Sequence, residues 1–190
     1  MLTTADPAKA DLMRSLRTHG ADRPAETRHA QGLAPPAAEY ARLGYNYRLS
    51  DIQSAILRVQ LTRLPAFLDE RERLARRYDE AFGALDGIRR PPRRPRARHS
   101  FQSYVIVIEP GAKVAPGPLM EALAAEGIST RVGTYAVHRQ PYLRGRPGIP
   151  VALPHSEEAA DRSIALPLYH GMTPADQEAV IRAVERAWRR

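Results

Sequence analysis

The sequence predicts an α+β fold, a small sheet with helices packed on one face, joined to a helical N-terminal segment. Two observations predict this fold. Apolar residues recur at helical spacing in several segments of the chain. Between these segments lie two short apolar runs, residues 102–108 and 128–133, which are typical of strands. Strands that alternate with helices in this way favour a sheet covered by helices.

The N-terminal segment is predicted to contain two helices. Residues 8–18 form the first, with Leu12, Met13 and Leu16 on its buried face. Residues 23–36 are predicted to be a loop. Residues 51–64 form the second helix, whose start carries Ser50 and Gln53. Their spacing fits the reciprocal capping pattern, in which each side chain satisfies a free amide of the other residue.

Pro65 is predicted to begin a third helix, because its missing amide costs nothing in a first turn. This helix runs to Phe82 and ends at Gly83. Its arginines and acids face water or pair along its surface. The residues expected on its buried stripe are Phe67, Leu74, Tyr78 and Phe82.

The rest of the chain is predicted to alternate between strands and helices. The strand over residues 102–108 has two apolar faces, and a helix over 118–126 follows, closed by Gly127. The strand over 128–133, a short helix over 157–163 and a short strand over 164–166 come next. Thr173 and Pro174 start the final helix, whose buried stripe is Val180, Ile181, Val184 and Trp188.

Composition excludes several classes of protein. The 190 residues contain no cysteine, so disulfides and thiolate metal sites are excluded. No apolar run is long enough to cross a bilayer, and the N-terminus lacks the apolar core of a signal peptide. These features predict a cytoplasmic protein that makes no membrane contact. The six histidines show no metal-ligand spacing, so no metal site is predicted.

The net charge of +8 is concentrated in residues 89–99, where six of eleven residues are arginine. Such a segment could bind a polyanion. However, its prolines prevent a helix that would align the arginines, and no aromatic residues are interleaved for base stacking. The segment is therefore predicted to be a solvated linker, and nucleic acid is not expected as a partner.

Residues 44–51, which we call the elbow, are the most informative stretch of the chain. They read Gly-Tyr-Asn-Tyr-Arg-Leu-Ser-Asp and lead directly into the capped helix. An amide and a guanidinium at the start of a helix are able to hold a phosphate, since helix N-termini and side-chain donors both favour anions. The alternative is a polar turn in front of an ordinary core helix.

The elbow and the residues after it resemble a signature of the DegT/StrS-type nucleotide-sugar aminotransferases, which are pyridoxal-phosphate enzymes of fold type I. The resemblance continues in the family's order over most of the chain. It includes residues 11–20, the stretch 127–138 that reads Gly-Ile-Ser-Thr-Arg-Val-Gly-Thr-Tyr-Ala-Val-His, and residues 163–173. It implies that residues 1–64 are a remnant of the large cofactor-binding domain with its connecting helix. Residues 65–190 would be the C-terminal small domain.

The resemblance also implies what this stretch lacks. In that family the Schiff-base lysine, the acidic partner of the pyridine nitrogen and the phosphate-binding turn lie upstream of the first helix here. The chain has two lysines, Lys9 on an amphipathic helix and Lys113 in a predicted turn. Neither context holds an amine at a cofactor. We therefore expect a C-terminal half that does not bind pyridoxal 5′-phosphate covalently and that, by itself, does not catalyse transamination.

The resemblance places two sets of binding residues and no catalytic residue on this chain. Asn46, and then Arg48, would contact the phosphate of the cofactor bound by the other subunit of a homodimer. The alternative for Arg48 is an ion pair with Asp51. His138, Tyr135 and Arg131 would line the nucleotide-sugar pocket, although an isolated histidine is more often structural.

Two functions remain open at this point. The first is the C-terminal part of an aminotransferase that moves an amino group from an amino acid, expected to be glutamate, to a keto sugar attached to a nucleotide. Its partners would be the missing N-terminal half, a second subunit and the nucleotide-sugar substrate. The second is a non-catalytic binding or assembly module derived from the same fold.

Overall fold

The computed structural model describes residues 2–22 and 39–189, so the predicted loop over residues 23–36 lies outside the described residues. The chain divides into two compact units, Met1–Thr62 and Arg63–Arg190. Mixed helices and a small antiparallel sheet confirm the predicted α+β class. Within the described ranges, no helix combines the length and apolar character that crossing a membrane requires.

The first unit begins with helix α1, Pro7–Arg17. Asp6 caps it by accepting hydrogen bonds from the amides of Ala8 (3.0 Å) and Lys9 (3.2 Å). The predicted buried face is wrong for Leu12, which is exposed, while Met13 and Leu16 are half-buried. The apolar stripe is present, but the described residues of this unit do not cover it.

Helix α2 is one continuous helix, Asp51–Phe82, with Pro65 in its interior. The predicted break at Pro65 is therefore wrong. A proline inside a helix removes one hydrogen bond and crowds the carbonyl four residues earlier, at a cost of about 3 kcal/mol, yet the helix continues through Pro65 here. The leucine, arginine, alanine and glutamate residues around it favour the helical state. The helix ends before Gly83, as predicted.

The second unit is built on a four-stranded antiparallel sheet. Its strands are β1, Ile88–Arg89; β2, Tyr104–Ile108; β3, Arg131–Val132; and β4, Ser163–Leu166. Their spatial order is β1-β2-β4-β3, with Tyr104 opposite Leu166 and Arg131 opposite Ala165. The strand predicted over residues 128–133 is thus shorter than expected, because only two of its residues pair with β4.

Three helices complete the second unit: α3, Pro116–Ala125; α4, Pro154–Arg162; and α5, Pro174–Arg189. Helices α3 and α4 begin two and three residues earlier than predicted, because a proline occupies the first position of each helix and is compatible with helical φ there. Gly127 follows α3 with φ of +74°, a left-handed conformation that suits glycine after a helix.

One face of β2 lies in the hydrophobic core of the second unit. Tyr104, Ile106 and Ile108 are buried, whereas Val105 and Val107 on the opposite face are only half-buried. The core also contains buried residues from three helices, namely Leu74, Tyr78 and Phe82 of α2, Leu119 and Leu123 of α3, and Val180, Ile181, Val184 and Trp188 of α5. The stripes predicted for α2 and α5 are confirmed, apart from Phe67, which is half-buried.

The arginine-rich segment of residues 89–99 forms ion pairs with α2. Arg93 forms ion pairs with Glu72 and Asp79, each at 2.6 Å, and Arg98 pairs with Asp69 at 2.5 Å. The Arg93 guanidinium also lies 5.0 Å from the ring centroid of Phe101. The prediction of a solvated linker is therefore wrong in part, since acidic residues of α2 form ion pairs with two of its arginines.

Candidate functional site

The elbow is held by the backbone at the end of α1. The Tyr45 amide donates to the carbonyl of Leu16 at 2.7 Å, and the Tyr47 amide donates to that of Arg17 at 3.0 Å. A bridge between Thr18 and Asn46 lies between these two hydrogen bonds. Asn46 is thus fixed in register against the first helix, and its side chain is exposed to solvent.

Two glycines permit this close approach. A Cβ atom on Gly44 would lie 2.0 Å from the backbone nitrogen of Gly20, and a Cβ on Gly20 would lie 1.9 Å from the carbonyl oxygen of Arg42. Gly20 also has φ of +78°, which side chains other than that of glycine rarely adopt. The two glycines therefore act as positioning residues for the elbow. Sequence reasoning did not identify this role, although a glycine on each side of the contact could have indicated a close backbone approach.

The elbow presents side-chain donors to solvent. Arg48 donates from Nε to Oδ1 of Asn46 at 3.3 Å, which leaves the Asn46 amide NH₂ group and the terminal guanidinium nitrogens facing outward for another acceptor. Arg48 forms no ion pair with Asp51 or with any other carboxylate in the described part of the chain. The ion pair with Asp51, which was the alternative predicted for Arg48, is therefore not present in the structure.

The predicted capping pattern at the start of α2 is confirmed. Ser50 donates its backbone amide to Oε1 of Gln53 at 2.9 Å, and Gln53 donates its own amide to Oγ of Ser50 at 3.3 Å. Tyr45 and Tyr47 are exposed and stack on each other with ring centroids 5.0 Å apart. The elbow is thus an ordered corner in which Asn46 and Arg48 lie beside the positive end of a helix.

A second feature is an open cleft of about 270 Å³ that lies entirely in the second unit. Leu166 and Pro167, at the end of β4, form part of its apolar wall. The polar side chains that line it are those of Gln102, Ser103, Ser129, Thr130, Arg131 and Tyr169. Of the five residues predicted to bind cofactor or substrate, only Arg131 lines this cleft.

Arg131 is oriented by a short chain of hydrogen bonds. Its Nη2 atom donates to Oγ of Ser103 at 2.8 Å, and that hydroxyl in turn donates to Oε1 of Gln102 at 2.8 Å. Ser129 and Thr130 directly precede Arg131 in the chain. This run of three polar side chains was the signal from which the cleft could have been predicted.

His138 is buried in a different place. It lies in a 3-10 turn, Val137–Arg139, and its Nε2 atom is 2.8 Å from Oε1 of Glu157 on α4. The Leu153 amide, His138 and Arg139 all bond to that carboxylate and lower the pKa of Glu157 to about 2. The Nδ1 atom of His138 is buried and has no hydrogen-bond partner among the residues that the structure describes. Tyr135, three residues earlier, is exposed.

Both lysines lie on the surface. Lys9 is exposed in the first turn of α1, with its amine 3.6 Å from the carboxylate of Asp6. Lys113 is exposed between β2 and α3. An amine that forms a Schiff base is usually enclosed with the carbonyl that it attacks. Neither lysine has that surrounding in this structure.

Comparison with solved structures shows where this architecture occurs. The aminotransferase TlmJ from Streptoalloteichus hindustanus is 27% identical, with a TM-score of 0.75, over 96% of this chain and 45% of that one. A DegT DnrJ EryC1 StrS aminotransferase from Brucella abortus is 28% identical, with a TM-score of 0.76, over 98% of this chain and 45% of that one. The sugar aminotransferase CalS13 from Micromonospora echinospora shares the fold, at 22% identity and a TM-score of 0.77 over 96% of this chain and 46% of that one.

This chain spans slightly less than half of the length of these solved structures. Its sequence matches the DegT/DnrJ/EryC1/StrS aminotransferase family over residues 1–185, which includes both the elbow and the cleft. We conclude that the chain belongs to the DegT/DnrJ/EryC1/StrS aminotransferase family.

Proposed function

We propose that the chain is the C-terminal part of a pyridoxal-phosphate-dependent aminotransferase. The complete enzyme transfers an amino group from an amino acid, with glutamate as the expected donor, to the keto group of a nucleotide-linked sugar. The observation that carries the proposal is the elbow, where Asn46 and Arg48 present donors that no carboxylate in the described residues neutralises. We assign residues 1–64 to the large domain and residues 65–190 to the small domain.

The elbow fits the phosphate of the cofactor. The amide oxygen of Asn46 accepts from Arg48, so its NH₂ group and the remaining guanidinium N–H groups stay available for phosphate oxygens. In the proposed homodimer these two side chains hold the phosphate of the cofactor bound by the other subunit. The bound cofactor supplies the electron sink for the reaction.

The substrate contacts in the proposal are those of Arg131, Tyr135 and His138. Tyr135 has an exposed phenol, and the Arg131 guanidinium lies in an open cleft. His138 can contribute only through its Nδ1 atom unless its bond to Glu157 opens, because Nε2 is already engaged. We therefore rank Arg131 and Tyr135 above His138.

The chain by itself is not expected to be active. Because Lys9 and Lys113 are exposed surface residues, we propose that the Schiff-base lysine is supplied by a different stretch of polypeptide. Exposed apolar residues on the first part of α2, such as Ile52 and Val59, support a covering partner of this kind. A cysteine-free composition is compatible with the cytoplasmic location that we propose.

The test compares the chain alone with the chain assembled with a lysine-bearing N-terminal half of a related family member. Alone, with pyridoxal phosphate and glutamate, it is expected to form no 2-oxoglutarate. Borohydride reduction followed by mass spectrometry should reveal no selective modification of Lys9 or Lys113. In the assembly, Asn46→Ala should weaken retention of the cofactor at least tenfold, whereas Gln60→Ala, which removes an exposed amide outside the elbow, should not. Turnover by the chain alone would contradict the proposal.

The exposed apolar part of α2 also supports a second candidate, a non-catalytic assembly module. A stable complex with the lysine-bearing half that retains the cofactor but never transaminates would favour this candidate. A non-catalytic module that binds a polyanion has less support, since acidic residues of α2 already pair with Arg93 and Arg98. Strongly salt-dependent retention on nucleic acid would support that version.

A further inference from the structure

We propose that the cleft of the second unit is a carboxylate subsite in which Arg131 binds a carboxylate of the amino donor. This inference rests on the proposed function and deepens it, because it assigns part of the site to the donor and adds Ser129, Thr130 and Ser103 to it. The nucleotide-sugar contacts would then lie mainly with Tyr135.

The charge of the cleft indicates an anionic ligand. Among the described residues that line it, Arg131 alone carries a full charge, and the other polar groups are hydroxyls, a phenol and an amide. A guanidinium has five N–H donors, and the Arg131 guanidinium uses one of them, toward Ser103. No carboxylate in the described residues pairs with Arg131. The remaining donors are therefore available to a ligand.

The guanidinium is held in place before any ligand arrives. Ser103 accepts from Arg131 and donates onward to Gln102, which defines the direction of the Ser103 hydroxyl. The Arg131 backbone is held in register opposite Ala165 of β4. A preorganised donor loses less conformational entropy on binding than a mobile surface arginine does.

The remaining walls of the cleft suit a small organic anion. Tyr169 lines the cleft and is about half exposed, so it contributes aromatic surface to the wall. Leu166, Pro167 and Leu168 add apolar surface next to the hydroxyls of Ser129 and Thr130. An apolar wall with a few convergent polar groups is typical of small-molecule sites.

Charge and volume favour a carboxylate over a diphosphate. A diphosphate carries at least two negative charges and is usually held by several cations, by a series of backbone amides or by a helix N-terminus. One planar guanidinium matches one carboxylate, which it can hold with two parallel hydrogen bonds. The cleft volume of about 270 Å³ lies below the range of roughly 300–1,000 Å³ for sites that enclose larger ligands. That volume is enough for a ligand of amino-acid size.

The proposal is tested by titrating the full chain with glutamate, 2-oxoglutarate and, separately, inorganic pyrophosphate, while following backbone amide shifts by NMR. Glutamate and 2-oxoglutarate should shift the amides of Ser129, Thr130 and Arg131. Arg131→Gln should weaken this binding at least tenfold, and Arg131→Lys should restore only part of it, because lysine lacks the planar fork. Arg96→Gln, which removes an exposed arginine from the 89–99 segment, is the matched control and should change nothing.

Three outcomes would overturn the proposal. Pyrophosphate binding at the cleft more tightly than either carboxylate would identify a phosphate subsite instead. Carboxylate binding that persists in a folded Arg131→Gln variant, with unchanged circular dichroism, would remove Arg131 from the site. Amide shifts confined to residues outside the cleft would show that the carboxylates do not bind in the cleft.

The assembled enzyme separates this proposal from the function on which it rests. If the assembly transaminates but Arg131→Gln leaves the glutamate KM unchanged, the subsite is wrong and the function stands. If the chain binds glutamate at the cleft but the assembly never transaminates, the function is wrong and the subsite stands.

Discussion

The two ends of helix α2 show the same sequence pattern in opposite surroundings. Its first part lies in the first unit, where Ile52 is 75% exposed and Val59 is 60% exposed. Its last part lies in the second unit, where Leu74, Tyr78 and Phe82 are fully buried. Both parts carry apolar residues at helical spacing. An amphipathic stripe thus predicts that something covers a helix face, but it does not predict whether the cover belongs to the same chain.

The comparison extends to the units as a whole. The second unit has a hydrophobic core drawn from three helices and a sheet. In the first unit, no side chain of α1 is buried, and the buried residues Thr18, Gly20 and Ala21 cluster where the backbone meets the elbow. Hydrophobic burial therefore stabilises the second unit, whereas local hydrogen bonds and close backbone contacts shape the described part of the first.

The largest expected effect comes from truncating one apolar residue at each end of α2. Leu74→Ala, at a site with no exposure, should lower the free energy of unfolding by about 2–5 kcal/mol, because it leaves a cavity in the core. Ile56→Ala, at a site that is 56% exposed, should change it by less than about 0.5 kcal/mol.

Urea denaturation followed by the fluorescence of Trp188, the only tryptophan in the chain, together with far-UV circular dichroism, measures both variants. Equal losses would mean that Ile56 is buried in solution, for instance by self-association. Repeating the measurement at several protein concentrations would identify that case.

The second prediction concerns the close contact that holds the elbow. Gly44→Ala places a Cβ atom 2.0 Å from the Gly20 nitrogen and 2.4 Å from the His19 carbonyl carbon, and backbone atoms cannot move aside cheaply. We expect faster hydrogen exchange at the amides of Tyr45 and Tyr47, which bond to the end of α1. The loss of local stability should be about 1–3 kcal/mol, the usual cost of overpacking.

Gly117→Ala is the matched control, since a Cβ atom there meets nothing within 4 Å. Gly117 lies inside α3, so alanine should be neutral or slightly stabilising at that position. Unchanged protection of Tyr45 and Tyr47 in the Gly44→Ala variant would show that the backbone contact does not position the elbow.

The smallest expected effect is a pH dependence in the second unit. The pKa of Glu157 is lowered to about 2 from an ordinary value of 4.5, first by the Leu153 amide and then by His138 and Arg139. A lowered folded-state pKa means that this carboxylate stabilises the fold above pH 4.5. That contribution is lost as the pH falls from about 4.5 to 2.

Glu157→Gln should therefore flatten the change in melting temperature between pH 5 and pH 2, relative to the unmodified chain. The effect should be modest, because Glu157 is only half-buried and solvent still screens part of its charge. Glu121→Gln, on the exposed side of α3, should leave the slope unchanged. A slope that is the same in all three proteins would exclude a stabilising role for the Glu157 contacts.

Sequence reasoning recovered the features that depend on neighbouring residues. The Ser50 and Gln53 cap, the stop of α3 at Gly127 and the buried stripe of α5 all follow from spacings of a few residues. The break at Pro65 was wrong, because a single helix-breaking signal competed with many helix-favouring residues around it.

Sequence reasoning missed the cleft and the buried position of His138, because both depend on contacts between residues that are far apart in the chain. Ser103, Arg131 and Tyr169 come from three separated parts of the chain, and only the pairing of β2, β4 and β3 brings them to one place. Likewise, Glu157 reaches His138 across a separation of 19 residues, and no local pattern marks that pair.

By itself, the sequence determined most of the helices, the strand β2 and the Ser50–Gln53 cap, because each depends on short-range sterics and hydrogen bonding. It also carried the family resemblance of the elbow. Only the tertiary structure decided which apolar stripes are covered, which arginines are neutralised and which polar groups converge on a cleft. These depend on contacts between distant residues. The free energy of such contacts comes from the water that they exclude, and sequence spacing does not encode that quantity.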